Sequence, residues 1–224
     1  GTRVNEQGLI ESVATNIPRI DYTNGCGQLL LEPQRTNLIT QSEDLSTGWF
    51  LVRVAVTSSS TASPDGTVNA SKLVPSTDNN SHYIEPTTYS GTSGVDYTFS
   101  VFAKKGEYNF IQLATSTGFS SDYANFNLDS GVFVQGGLTN YSIEDYGGGW
   151  WRISITDTTT SANRRVLIVP IKLGTQTRNS SFVGDGTSGI YIWGADVQLG
   201  SYPTSYIPTS GTTVTRLQDT SSTT

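Results

Sequence analysis

With 224 residues the chain is long enough for one large domain with its own apolar core, and 11 Tyr, 8 Phe and 4 Trp exclude a disordered composition. Only 14% of the residues are charged and the formal net charge is −6, which argues against nucleic acid, since phosphate contacts need Lys and Arg. No apolar run reaches the length of a membrane-spanning helix, so membrane insertion is not expected.

Residues 1–45 alternate weakly and are punctuated by Pro18 and Pro33, which predicts an extended N-terminal arm packed along the main domain. A strand is predicted near 28–32. The single cysteine, Cys26, lies in Asn24-Gly25-Cys26-Gly27 and is expected in a turn or a small core position; one Cys excludes an intrachain disulfide. Residues 46–209 carry short runs of period-2 alternation near 50–57, 69–74, 82–87, 96–104, 108–115, 122–128, 131–135, 141–145, 150–157, 164–172 and 189–199. Turn signals such as Pro64-Asp65-Gly66, Asp129-Ser130-Gly131, Gly147-Gly148-Gly149 and Asp185-Gly186 separate them. The fold class that follows is all-β, a two-sheet antiparallel β-sandwich (jelly roll). Residues 210–224 are rich in Thr and Ser and are expected to form a flexible tail. The chain contains no Met, so a piece processed or excised from a longer protein is expected.

Alternation assigns side chains to faces. Trp151, Ile153 and Ile155 form one face of their strand, with Trp150, Arg152, Ser154 and Thr156 opposite. Tyr97, Phe99, Val101 and Ala103 oppose Thr98, Ser100, Phe102 and Lys104. Tyr123 shares a side with Asn125 and Asn127, and Gln112 with Tyr108 and Phe110. On a common sheet these strands would place Phe102, Lys104, Gln112, Tyr123, Asn125, Trp150 and Arg152 on one wet face; the alternative is ordinary sheet surface with Trp150 covered by a loop or the N-terminal arm. Such a face suits a sugar, whose C–H surface packs on aromatic rings and whose hydroxyls bond Asn, Gln and Arg. Lys104 and Arg152 would add charge-assisted bonds to an acidic or sulfated glycan. Trp193 alternates with Tyr191, Ala195, Val197 and Leu199 and is assigned to the core; Trp49 opens a strand with no face assigned.

Catalysis has few candidate groups. His82 is the single histidine, and there is no Gly-x-Ser-x-Gly elbow, phosphate loop or His-Glu-x-x-His helix. Ser81-His82-Tyr83, Val101-Phe102-Ala103-Lys104-Lys105-Gly106-Glu107-Tyr108-Asn109 and Gln34-Arg35-Thr36-Asn37 resemble strands of jelly-roll alginate lyases, although the Gln that precedes the family's His is absent. That resemblance implies a polysaccharide lyase with His82 as the residue to test.

A broader resemblance covers nearly the whole chain. Thr2-Arg3-Val4-Asn5-Glu6-Gln7-Gly8-Leu9-Ile10-Glu11 and Leu29-Leu30-Leu31-Glu32-Pro33-Gln34-Arg35-Thr36-Asn37-Leu38 resemble an opening found in bacteriophage fibre proteins and secreted proteins of marine bacteria. Gly149-Trp150-Trp151-Arg152-Ile153-Ser154 and Ile192-Trp193-Gly194-Ala195-Asp196-Val197-Gln198-Leu199 resemble later strands of the same modules. These are similar to concanavalin-A-like and jelly-roll carbohydrate-binding modules, especially families 4 and 22. The resemblance implies a structural calcium held by Asp196 with Glu43 or Asp44, Ser46 standing where the family's Glu is usual. The expected function is a non-catalytic, secreted module that binds a polysaccharide, including an acidic or sulfated algal glycan. The alternative is a virion fibre, spike or decoration domain with homotrimer or virion neighbours as partners, on the virion surface.

Overall fold

The computed structural model describes residues 1–87 and 89–220. All regular elements among them are strands. The N-terminal arm carries β1 (Thr2–Val4), β2 (Ile10–Ser12), β3 (Ile20–Asp21), β4 (Gln28–Leu29) and β5 (Arg35–Asn37). The main domain continues with β6 (Trp49–Val52), β7 (Val54–Thr61), β8 (Ala70–Pro75), β9 (Tyr83–Pro86), β10 (Tyr89–Ser90), β11 (Asp96–Lys105) and β12 (Phe110–Thr115). After these come β13 (Tyr123–Asn127), β14 (Val132–Gly136), β15 (Tyr141–Asp145), β16 (Trp150–Thr158), β17 (Asn163–Arg164), β18 (Val166–Ile171), β19 (Ile190–Leu199) and β20 (Val214–Arg216). No helix in the described residues is long and apolar enough to cross a membrane.

Two antiparallel six-stranded sheets form the sandwich. Sheet I runs β15-β16-β11-β19-β8-β7 and sheet II runs β14-β13-β12-β18-β9-β6. The inward faces follow the alternation: Phe99, Val101, Ala103, Ile153 and Ile155 of sheet I meet Ile84, Ile111, Leu113, Phe126 and Ile168 of sheet II. Trp49 joins this core and donates its indole N–H to the Gln41 carbonyl (2.9 Å). Each large apolar side chain buried this way contributes roughly 1.5–3 kcal/mol.

Two local features alter the simple reading. The segment expected as one strand near 50–57 breaks at Arg53, which has φ 54°. β6 therefore pairs in sheet II and β7 in sheet I, and the chain changes layers at one residue. In β19 an extra residue enters the ladder: Ser100 opposes Asp196 while Phe102 opposes Trp193. Gly194, at φ 61°, makes this β-bulge, and a Cβ there would sit 2.9 Å from the Phe102 ring. A bulge reverses side-chain parity. Ile190 and Ile192 before it and Ala195 and Val197 after it all face the core. Trp193 is buried, but on the outer face of sheet I, which corrects its assignment to the inter-sheet core.

The arm closes over that outer face. Val4 and Ile10 pack with Ala70, Phe102, Trp150, Trp193 and Tyr206 in a second apolar cluster. Asn37, fully buried, stitches the arm to the bulge: its amide donates to the carbonyls of Ala195 (3.1 Å) and Ile207 (2.8 Å), and its oxygen accepts from Val197 N–H (3.2 Å). Residues 210–220, expected as part of a loose tail, include β20, which pairs with β5. Glu32 forms ion pairs with both Arg19 (2.8 Å) and Arg216 (2.7 Å), and Arg19 also pairs with Asp219. Cys26 is exposed in the turn between β3 and β4.

Candidate functional site

The residues expected on one wet face are divided between two sheets. Phe102, Lys104, Trp150 and Arg152 lie on β11 and β16 of sheet I, whereas Gln112, Tyr123 and Asn125 lie on β12 and β13 of sheet II. Their side chains point outward, as the alternation predicts, but outward is not wet. Trp150 is 4% exposed beneath the arm and donates its indole N–H to the Ala62 carbonyl (3.0 Å). Phe102 is fully buried, with Tyr146 edge-on at 4.9 Å and the Arg152 guanidinium 5.4 Å from its ring centre. Arg152 is buried too and donates to Ser100 Oγ (3.1 Å). On sheet II, Gln112 and Asn125 are fully buried and bonded to each other (2.8 Å). Asn125 also donates to the carbonyls of Gly174 (2.8 Å) and Gln176 (2.7 Å), so the loop after β18 is fastened over them. Lys104 and Tyr123 are half-buried. A single solvent-facing aromatic platform is therefore not formed by these residues, because the covering segments come from distant parts of the chain.

The acids expected to hold calcium are also apart in role. Asp44 caps its own turn, accepting from Ser46 N–H (2.9 Å) and Thr47 Oγ1 (2.8 Å). Glu43 accepts from the Tyr206 hydroxyl (3.0 Å), and burial raises its pKa. Asp196 is completely buried and accepts from Gln198 Nε2 (2.8 Å) and Ile207 N–H (3.2 Å), while its Oδ1 has no partner among the described residues. Burial pushes its pKa up to about 6, with the charge of Arg152 pulling the other way. Calcium needs a cage of oxygen acceptors. The surroundings of Asp196 are N–H donors and a guanidinium, so this donor set does not fit the ion. No group of three or more His, Cys, Asp or Glu among the described residues could hold a metal. His82 is fully buried, and its ring nitrogens face main-chain carbonyls: Nδ1 that of Arg53 (2.8 Å), Nε2 those of Phe182 (2.9 Å) and Asp78 (3.1 Å).

An open site lies elsewhere, at the end of the sandwich where β11 begins and β19 ends. There a cleft of about 250 Å³ is lined by Gln34, Arg35, Thr36 and Leu38 of the arm and by Ser90, Tyr97 and Leu199 of the main domain. β5 forms one wall because it is held between β20 and, through Asn37, the bulged strand. The Arg35 guanidinium stands 5.5 Å from the ring centre of Tyr202, which is 51% exposed. Arg35 donates to the Gln34 carbonyl (3.1 Å), makes no ion pair among the described residues, and its Nε is buried without a partner. On the sandwich side, Arg164 is fully buried and stacks on the Tyr97 ring at 4.1 Å. Its Nη2 donates to the Thr92 carbonyl (2.6 Å); Nε and Nη1 have no partner among the described residues. Gly91 lets the main chain pass against Arg164 and Tyr97, where a Cβ would have no room.

In the sequence Arg35 stands out only as part of the lyase-like and fibre-like segments, and Tyr97 only as sharing a strand face with Phe99, Val101 and Ala103. Tyr97 is buried with its ring in the core, yet it also lines the cleft. The available signal was the polar run Gln34-Arg35-Thr36 beside an apolar arm segment. Tyr202 and Ser90 carried none, because only tertiary packing brings them to Arg35 and Tyr97.

No protein-family model matches the chain, and no curated protein matches it. Among solved structures, one match is the enzymatically active domain of tailspike protein 4 of bacteriophage CBA120. It is 15% identical with a TM-score of 0.42, covering 73% of this chain and 22% of that one. Another is the Clostridium thermocellum N-terminal endo-1,4-β-D-xylanase 10B, its CBM22-1 and GH10 modules complexed with xylohexaose. It is 14% identical with a TM-score of 0.40, covering 79% of this chain and 30% of that one. The chain thus spans only a minor part of either solved chain.

Proposed function

We propose that this β-sandwich is a non-catalytic carbohydrate-binding module that holds part of a polysaccharide in the cleft between the arm and the sandwich end. The observation that carries this reading is the open cleft itself, lined by Gln34, Arg35, Ser90 and Tyr97 and flanked by the exposed ring of Tyr202. An amide, a guanidinium and a hydroxyl supply directional bonds to sugar hydroxyls, while an exposed phenol ring offers a flat surface for a sugar's C–H face. The volume is slightly below the roughly 300–1,000 Å³ of drug-sized pockets, which suits one or two sugar units of a longer chain. The non-catalytic part of the reading is supported by His82, whose ring is enclosed and turned to main-chain carbonyls.

Affinity gel electrophoresis against soluble polysaccharides, neutral and acidic, tests the reading. At least one polymer is expected to retard the protein, and Tyr202→Ala is expected to weaken that binding by about ten-fold while leaving the unfolding temperature unchanged. Retardation by no polymer would sink the proposal.

A further inference from the structure

The cleft is flanked by two arginines that have no ion pair among the described residues. On a protein of net charge −6, its arm wall carries the Arg35 guanidinium, and the Tyr97 ring on its other wall is stacked by the Arg164 guanidinium. Neither arginine has a carboxylate partner among the described residues. By contrast, the buried Arg19 and Arg216 share Glu32, whereas Arg152, on the outer face of sheet I, lies under the arm with no open volume beside it. Asp96, next to Tyr97 in the chain, turns its carboxylate to Thr158 Oγ1 (2.6 Å). A buried guanidinium with two unpartnered nitrogens is costly, and its field is weakly screened by the apolar interior around it. Arg35 presents a planar donor fork beside open volume, the arrangement that pairs with a flat or tetrahedral oxyanion.

We infer that the cleft is selective for an anionic saccharide, a sugar unit carrying a carboxylate or a sulfate group, with Arg35 as the residue that contacts the anion. The field of Arg164 through Tyr97 favours the same charge without contact. This rests on the proposed carbohydrate-binding function and narrows it to a ligand class.

Matched polymers separate charge from sugar. Binding is measured by calorimetry for pectate against fully methyl-esterified pectin, and for dextran sulfate against dextran. The expected result is that at least one charged member binds about ten-fold or more tightly than its neutral twin, and the pair that responds identifies carboxylate or sulfate. Arg35→Gln is expected to abolish that ratio, and Arg35→Lys to restore part of it, because the charge returns without the fork. Both variants are checked for an unchanged unfolding temperature; if Arg35→Gln is less stable, Gln34→Glu, which adds a negative charge at the exposed rim, is expected to reduce the ratio in its place. Equal binding of charged and neutral twins would overturn the inference and leave carbohydrate binding standing. Failure to bind any of the four and any polysaccharide of the wider panel would overturn both.

Discussion

Asp196 shows how one residue's surroundings decide its chemistry. It lies beneath the arm at the bulged part of β19, with Arg152 acting on it at longer range than a direct ion pair. Its folded pKa of about 6 exceeds the roughly 3.9 of an unfolded Asp. Between those values the folded chain holds a proton that the unfolded chain has released. Its contribution to stability is therefore largest at or below about pH 4, falls as pH rises to about 6, and stays lost above that. Glu32 works in the opposite sense. Burial alone would raise its pKa, but the Ser205 hydrogen bonds and the Arg216 and Arg19 charges lower it, so its contribution is lost on acidification. Urea unfolding of Asp196→Asn is expected to show a flatter fall in stability between pH 4.5 and 7 than the parent; the same slope in both proteins would exclude Asp196 as its source.

At the level of elements, the bulge in β19 governs what the outer face of sheet I contains. Without the extra residue at Gly194, Trp193 and Asp196 could not both point toward the arm. Gly194→Ala places a Cβ against the Phe102 ring at a backbone angle that alanine resists, so a loss of about 1–3 kcal/mol is expected. Chemical denaturation measures it directly; a cost within about 0.5 kcal/mol would show that the bulge relaxes freely. Period-2 alternation made the inter-sheet core legible: Phe99, Val101, Ala103, Trp151, Ile153 and Ile155 sit where their spacing puts them, since that rule depends only on neighbours in the chain. The same rule failed at Trp193, because one glycine with positive φ changes parity, and at 50–57, because Arg53 adopts a left-handed conformation that its residue type does not advertise. It also could not tell outward from exposed. Trp150 and Gln112 do face away from the inter-sheet core, but their covers, the arm and the 172–183 loop, arrive from far along the sequence.

For the whole molecule, the arm is part of the fold's apolar economy. It shields Phe102, Trp150, Trp193 and Tyr206, which without Val4 and Ile10 would form an exposed aromatic patch of the kind that drives association. A chain starting after residue 17 is expected to bind a hydrophobic dye, to shift its tryptophan fluorescence to the red, and to self-associate. An unchanged emission spectrum and a monomeric elution profile would show that the sheet repacks without the arm.

The Arg19 cluster has a mechanical consequence. Arg19 donates to the Thr2 carbonyl and pairs with Asp219, so the first and last described segments are moored to one guanidinium across a separation of about 200 residues. A force pulling these two segments apart is borne first by that cluster and then by the short antiparallel β5–β20 ladder, which it peels open from the Arg35–Arg216 end before it reaches the two six-stranded sheets. The sandwich behaves as a closed ring with a charged clasp rather than as a string of hairpins to be unzipped.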